Sequence, residues 1–178
     1  MRRLPPEFFA RDATVVAPDL LNKRLVAGGV AGRIIEIEAY TSDDPASHCY
    51  RGRTARNAVM FGPPGRLYIY FTYGMHHCVN ISTGLEGDGQ GVLLRAVEPL
   101  EGIERMQARR GPRADRILAD GPGKLAQAFG LTLAHNGELA EVYDDGVAPP
   151  TTPRVGPRVG ITKAVDWPRR FRVPENRP

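Results

Sequence analysis

Two groups of residues in this chain could do chemistry: a pair of closely spaced glutamates, and a tyrosine- and histidine-rich run further along. The first lies in Arg33-Ile34-Ile35-Glu36-Ile37-Glu38-Ala39-Tyr40. The isoleucines predict a strand, Gly32 to Tyr40, in which side chains alternate between two faces. Strict alternation puts Ile35, Ile37 and Ala39 on a core face, and Ile34, Glu36, Glu38 and Tyr40 on the other. A carboxylate and an aromatic ring two positions away then share one side of a sheet, which suits the wall and the base of a pocket. An ordinary half-exposed strand with two solvated glutamates has the same pattern.

The second group is Tyr68-Ile69-Tyr70-Phe71-Thr72-Tyr73-Gly74-Met75-His76-His77-Cys78-Val79-Asn80. Two strands, Arg66 to Tyr73 and His76 to Thr83, flank a Gly74-Met75 turn signal. Tyr68 and Tyr70 face one way, Leu67, Ile69 and Phe71 the other, and Tyr73 lies at the turn. An aromatic tip of this kind suits insertion between stacked bases, while a tyrosine-rich pair of core strands is the alternative. His76, His77 and Cys78 do not make a metal site, because neighbours on a strand point to opposite faces.

The remaining elements must position these groups. Asp12 to Asn22 reads as a helix with Asp12 as N-cap and a break expected at Pro18. Gly91 to Val97 is a further apolar strand, and helical patterns follow at Leu100 to Arg110 and Gly123 to Phe129. Strands grouped first and helices later predict an α+β fold with a largely antiparallel sheet. Gly84 to Gly91 and Gly146 to Pro157 are the segments expected to be flexible.

The 178 residues fit one globular domain, 1–178, with 42% hydrophobic residues to build its core. No stretch approaches the run of about 18 apolar residues that a membrane span requires. No signal-peptide core follows the basic start, and partner-recruiting segments in a long N-terminal arm are not expected. A cytoplasmic, monomeric protein is expected, nucleoid-associated if bacterial. Cys49 and Cys78 are expected to be buried free thiols. A net charge of +4 is mild, but its distribution is uneven. From Pro45 through Leu85 there is no Asp or Glu, while Arg51, Arg53, Arg56 and Arg66 fall there. A surface approaching phosphates needs such a stretch, since an acid would repel the backbone. A chance run in an arginine-rich chain remains the other explanation.

Taken together, these residues resemble the alkyladenine (3-methyladenine) DNA glycosylase family. The matching pieces are Ala17-Pro18-Asp19-Leu20-Leu21-Asn22-Lys23, Gly32 to Tyr40, Ala46-Ser47-His48, Arg51-Gly52-Arg53-Thr54 with Arg56-Asn57, and Met60-Phe61-Gly62-Pro63-Pro64-Gly65. Tyr68 to Asn80, Leu93 to Pro99, Gly121-Pro122-Gly123-Lys124-Leu125 and Arg158-Val159-Gly160-Ile161 complete them in order.

The resemblance implies a single compact domain with a curved, barrel-like antiparallel sheet, flanking helices and a protruding hairpin. It implies an enzyme that flips damaged purines from double-stranded DNA and hydrolyses the glycosidic bond, with no cofactor and no metal. Glu38 would be the general base, with Glu36 on the same face as its competitor. Arg95 would lie beside the catalytic water and the target phosphate. Tyr40, His48 and Tyr70 would enclose the flipped base, and Asn80 would crowd a purine 2-amino group. Ala46 and Ile161 would add contacts near the base. Tyr73 would wedge into the vacated stack with Met75 and His76 beside it, and Arg51, Arg53 and Arg56 would hold the backbone. No lysine matches a Schiff-base nucleophile, which implies a monofunctional enzyme.

Departures from the family pattern are Thr162-Lys163 after Ile161, and His76-His77 flanking the tip. A non-catalytic nucleic-acid binding module and a small-molecule enzyme of similar architecture are the other readings. A binder gains nothing from a carboxylate buried beside a bound anion, and a small substrate needs no arginine zone.

Overall fold

The apolar alternations of the sequence become the two longest strands of the sheet, and these two pair with each other. A computed structural model describes residues 1–72, 74–111 and 118–175. The order is β1 (Arg2–Arg3), α1 (Pro6–Phe9), α2 (Ala13–Leu20), β2 (Arg24–Ala27), β3 (Val30–Tyr40), β4 (Leu67–Thr72), β5 (His76–Thr83), β6 (Gln90–Glu101), α3 (Ile103–Arg110), α4 (Pro122–Phe129), β7 (Val142–Asp144), β8 (Arg154–Gly156) and β9 (Arg170–Arg172). One 3-10 turn, Ala58–Phe61, lies between β3 and β4, and another, Leu133–His135, follows α4.

The strands form one curved antiparallel sheet in the order β1-β7-β2-β3-β6-β5-β4, with β9 pairing β3 and β8. This is the expected α+β architecture. Its edges approach each other where Leu67 N–H donates to Glu138 O and Ala140 N–H to Gly65 O, both at 2.8 Å. No continuous ladder joins them among the described residues, so the sheet stays open rather than closing into a barrel.

Strict alternation fails once along β3, and the failure matters for the site. Register against β6 slips between Ile34 and Glu36 and slips back between Glu36 and Ile37. Ile35 is the extra residue on β3 and Arg95 the extra residue on β6. Such bulges re-aim side chains. Ile34 therefore joins Ile37 and Ala39 in the core with no exposure, and Ile35 leaves it, the reverse of the expectation for this pair. Beyond the bulge the alternation holds, and Glu36, Glu38 and Tyr40 share the opposite face.

The core side of the sheet is covered by helices. Val16, Ala17 and Leu20 of α2, and Leu125, Ala126 and Phe129 of α4, pack with Ile34, Ile37, Ile81 and Leu94. Asp12 caps α2 by accepting from Thr14 N–H at 2.8 Å. Pro18 does not break α2, which runs on to Leu20. The helix expected from Leu100 begins only at Ile103, because β6 continues through Glu101 and Gly102 takes a left-handed φ of 71°. The two glycine-containing segments are structured rather than loose. Gly84 N–H donates to Phe9 O at 3.0 Å, Leu85 N–H donates to Asp88 at 2.7 Å, and β8 lies within the second. The opposite side carries a small cluster of Cys49, Met60 and Tyr68. Both cysteines are buried free thiols. No described helix is long and apolar enough to cross a membrane.

Candidate active site

Between the sheet and the segments 45–48 and 159–163 lies a cavity of about 530 Å³, within the roughly 300–1,000 Å³ usual for small-molecule sites. Tyr40, Ala46, His48, Tyr70, Asn80, Arg95 and Ile161 all line it. Separate stretches of sequence thus deliver every expected base-enclosing residue to one place. Lys163 and Thr162 line it as well.

Glu38 lies one layer beneath this wall and has no exposed surface. Its Oε2 accepts the Tyr40 phenol at 2.9 Å, and its Oε1 accepts Val159 N–H at 2.9 Å. Arg95 Nη1 stands 3.2 Å from Oε1. A carboxylate has about four acceptor positions; Val159 N–H and the Arg95 guanidinium crowd Oε1, and one position on Oε2 stays open among the described partners. Tyr40, Val159 and Arg95 all line the cavity. A fully buried carboxylate is costly unless paired and hydrogen-bonded, and this one is both.

Glu36 faces the same way but has a different environment. Arg95 Nε and Arg170 Nε donate to its Oε1 at 2.7 and 2.8 Å. Burial raises its pKa, yet the hydrogen bonds and charges of Arg170 and Arg95 outweigh burial and hold the carboxyl below its ordinary value. Two arginines thus tie Glu36, and neither glutamate is itself part of the cavity lining. Arg95 reaches both carboxylates from its bulge.

His48 and Tyr70 touch edge to face, with ring centroids 4.6 Å apart, and Tyr68 tilts against Tyr70 at 5.7 Å. They form one continuous aromatic wall. His48 Nδ1 is 2.9 Å from the Tyr68 hydroxyl. Burial, and secondarily the charge of Arg56, hold His48 below its ordinary value, so the imidazole is neutral at pH 7. Burial raises the Tyr40 and Tyr70 phenols far above theirs, with Glu38 and Cys78 adding to the effect. Asn80 donates to Tyr68 O at 3.1 Å, which orients its amide at the cavity floor.

The expected DNA-facing residues divide. Arg51 and Arg53 are exposed. Arg56 is exposed too but leans on the aromatic wall, its guanidinium carbon 5.7 Å from the Tyr70 ring centre. Arg66 donates to Gly137 O at 2.8 Å instead of standing free. On the hairpin tip Met75 is 68% exposed, and Phe71 stacks with His77 at 5.0 Å. His76 lies against Gly123 at the start of α4. Tyr73 lies outside the described residues, as do residues 176–178 at the C-terminus. No group of three His, Cys, Asp or Glu side chains that could hold a metal ion occurs among the described residues.

Three supporting residues escaped the sequence reading. Asn57, buried, accepts from Thr54 N–H at 2.6 Å and donates to His48 O and Gly52 O at 2.9 and 3.0 Å. It therefore ties the arginine loop to the aromatic wall, and the Thr54-x-x-Asn57 spacing is a local signal that could have revealed it. Asp44 and Arg158 form a buried ion pair beside Tyr40. No local pattern marks it.

Comparison with known proteins places this geometry in context. The chain matches the family model described as methylpurine-DNA glycosylase over residues 7–177. A Burkholderia lata protein named "Putative 3-methyladenine DNA glycosylase" is 55% identical to it over 184 aligned residues, covering 98% of this chain and 89% of the relative. Identically named proteins of Rhodopseudomonas palustris and Methanoculleus marisnigri are 51% and 50% identical, covering 92% and 94% of this chain and 83% and 93% of their own lengths.

Proposed function

The chain belongs to the methylpurine-DNA glycosylase family, and on that premise we propose that it flips alkylated purines from duplex DNA into the cavity and hydrolyses their glycosidic bond. The substrates are 3-methyladenine and 7-methylguanine, with hypoxanthine and ethenoadenine as further candidates. The observation that carries this reading is the Glu38 carboxylate, buried behind the cavity wall and held by Tyr40, Val159 and Arg95.

A base inside a duplex is out of reach and must be extruded at a cost of a few kcal/mol. Tyr73, with Met75 and His76 beside it, fills the gap left behind, and Arg51, Arg53 and Arg56 hold the bent backbone. Alkylation at N3 or N7 makes the purine cationic, and aromatic faces attract cations by roughly 1–2 kcal/mol when desolvated. Tyr40, Tyr70 and His48 supply those faces. The neutral state of His48 adds no repulsion. Asn80, Ala46 and Ile161 bound the base edge and restrict which lesions fit.

Water attacks C1′, the bond from C1′ to the purine nitrogen breaks, and its electron pair leaves with the base. Glu38 takes the proton of the water through the open position on Oε2, and its charge stabilises the oxocarbenium character at C1′. A cationic purine departs neutral and needs no acid. Arg95 offsets the Glu38 charge and would stand beside the catalytic water and the phosphate of the target nucleotide. The product is an intact abasic site.

The test is release of free base from duplex DNA carrying methylated purines, with EDTA present, by the native protein and Glu38→Gln. General-base catalysis contributes about 10²–10⁴-fold, so the variant should lose that much rate while still binding DNA. Equal release by both would remove Glu38 from the mechanism. DNA binding without release by the native protein would leave only a binding module.

A further inference from the structure

Behind the Tyr40 ring lies the ion pair of Arg158 and Asp44, neither of which has been assigned a role above. Neither side chain has any exposed surface. Arg158 Nη1 donates to Asp44 Oδ2 and, at 3.0 Å, to Ala39 O; Nη2 donates to Asp44 Oδ1 at 3.0 Å. Its guanidinium carbon stands 4.5 Å from the centre of the Tyr40 ring.

Buried pairs of this kind add little net stability, because desolvation of two charges offsets their attraction. Here the cost is greater still, since Arg158 Nε is buried with no hydrogen-bond partner among the described residues. What the pair contributes is geometry, because three separate pieces of the cavity meet on it. The first is the end of β3, reached through Ala39 O and the stacked Tyr40 ring. The second is the turn that carries Ala46 and His48. Asp44 shapes it by accepting Ala46 N–H on Oδ1 at 2.9 Å and Ser47 N–H on its carbonyl at 2.9 Å. The third is the segment after Arg158, whose next residue, Val159, donates its N–H to Glu38. Both described hydrogen-bond donors on the Glu38 carboxylate, the Tyr40 phenol and Val159 N–H, thus belong to residues placed by this one guanidinium.

Resting on the glycosylase reading, we propose that Arg158 and Asp44 are positioning residues for excision, holding Tyr40 and Val159 on Glu38 and so aiming its open oxygen at the attacking water. Neither residue touches the substrate. Arg169, which also contacts Asp44 at 3.3 Å, keeps that carboxylate partly paired when Arg158 is replaced. The variants therefore have a route to a folded state.

The experiment compares the native protein with Arg158→Met, Arg158→Lys, Asp44→Asn and the Arg158→Met/Asp44→Asn double variant. Three quantities are measured: the single-turnover rate of base release from duplex carrying 7-methylguanine, the affinity for a lesion-free duplex, and the thermal midpoint. A displacement of about 1 Å in a catalytic group can cost about 10²-fold in rate. Arg158→Met should lose rate on that scale with duplex affinity unchanged, and Arg158→Lys, which keeps the charge but not the planar fork, should recover part of it. The double variant should be no slower than the worse single one, because either change removes the same pair. Should Arg158→Met fail to fold, the Lys and Asn variants carry the same comparison. Native rates in folded variants would overturn the proposal, as would a loss that follows duplex affinity. A native protein that releases no base would overturn it together with the reading it rests on, whereas normal native release with unchanged variants overturns the positioning role alone.

Discussion

The Tyr40 phenol donates to the Glu38 carboxylate across 2.9 Å, from two positions along the same strand. The contact follows from β geometry, since residues i and i+2 share a face. It fixes both partners at once: the ring cannot turn without releasing the carboxylate, and the carboxylate cannot turn without losing a donor. Tyr40→Phe separates these roles by keeping the stacking face and deleting the donor. A hydrogen bond to a charged group contributes about 1.5–3 kcal/mol. Chemical denaturation should show a loss on that scale, and base release should slow while the variant still binds DNA. Native stability and rate in Tyr40→Phe would mean that the bond orients nothing.

His48 provides a titration test of the aromatic wall. Burial is the larger cause of its lowered value and the Arg56 charge the smaller. An NMR titration of the His48 ring should give a midpoint below the ordinary 6.5. Arg56→Gln removes only the lesser cause, so its midpoint should rise yet stay below 6.5. A native midpoint at or above that value would place the ring in water, outside the wall.

Much of this site was legible in the sequence, because its geometry is local. Alternation alone placed Glu36, Glu38 and Tyr40 together, and Tyr68 and Tyr70 opposite Leu67 and Ile69. The same rule misplaced Ile34 and Ile35, since a bulge is set by register against β6, which no local pattern announces. Arg170 reaches Glu36 from β9, a strand of three residues, too short to leave a periodic trace. Arg158 and Asp44 lie 114 positions apart. Arg158 opens one of the matching family pieces, but nothing in that piece points to Asp44, and their meeting is a product of the folded chain. Asn57 is the instructive miss: its contacts to Thr54 and Gly52 are short-range, and the capping pattern was there to be read.

The Glu36 cluster should govern acid stability. Its folded value is held below the ordinary 4.5 by Arg170 and Arg95 against the opposing effect of burial. A depressed carboxylate stabilises the fold fully above its unfolded value, and that stabilisation disappears as pH falls through the folded value. Thermal midpoints of the native protein should therefore drop as pH falls below about 4.5. Glu36→Gln cannot titrate, so its midpoint should start lower at neutral pH and fall less steeply in that window. Parallel curves for the two proteins would show that the pair of arginines does not discriminate between charged and neutral Glu36.

Arg51 and Arg53 are exposed within a stretch that holds no carboxylate from Pro45 to Leu85. Arg66, from the same stretch, is already bonded to Gly137 O and should contribute less. Each phosphate contact releases condensed counterions, so the logarithm of the binding constant falls with the logarithm of salt by about 0.9 per contact. Arg51→Ala and Arg53→Ala should each lower duplex affinity and flatten that slope by about 0.9. The loss should be the same for lesion-containing and lesion-free duplexes, because phosphate contacts carry no sequence information. Arg66→Ala should leave the slope nearly unchanged and appear as a loss of fold stability instead. Slopes that stay at the native value in the Arg51 and Arg53 variants would move the phosphate contacts elsewhere on the surface.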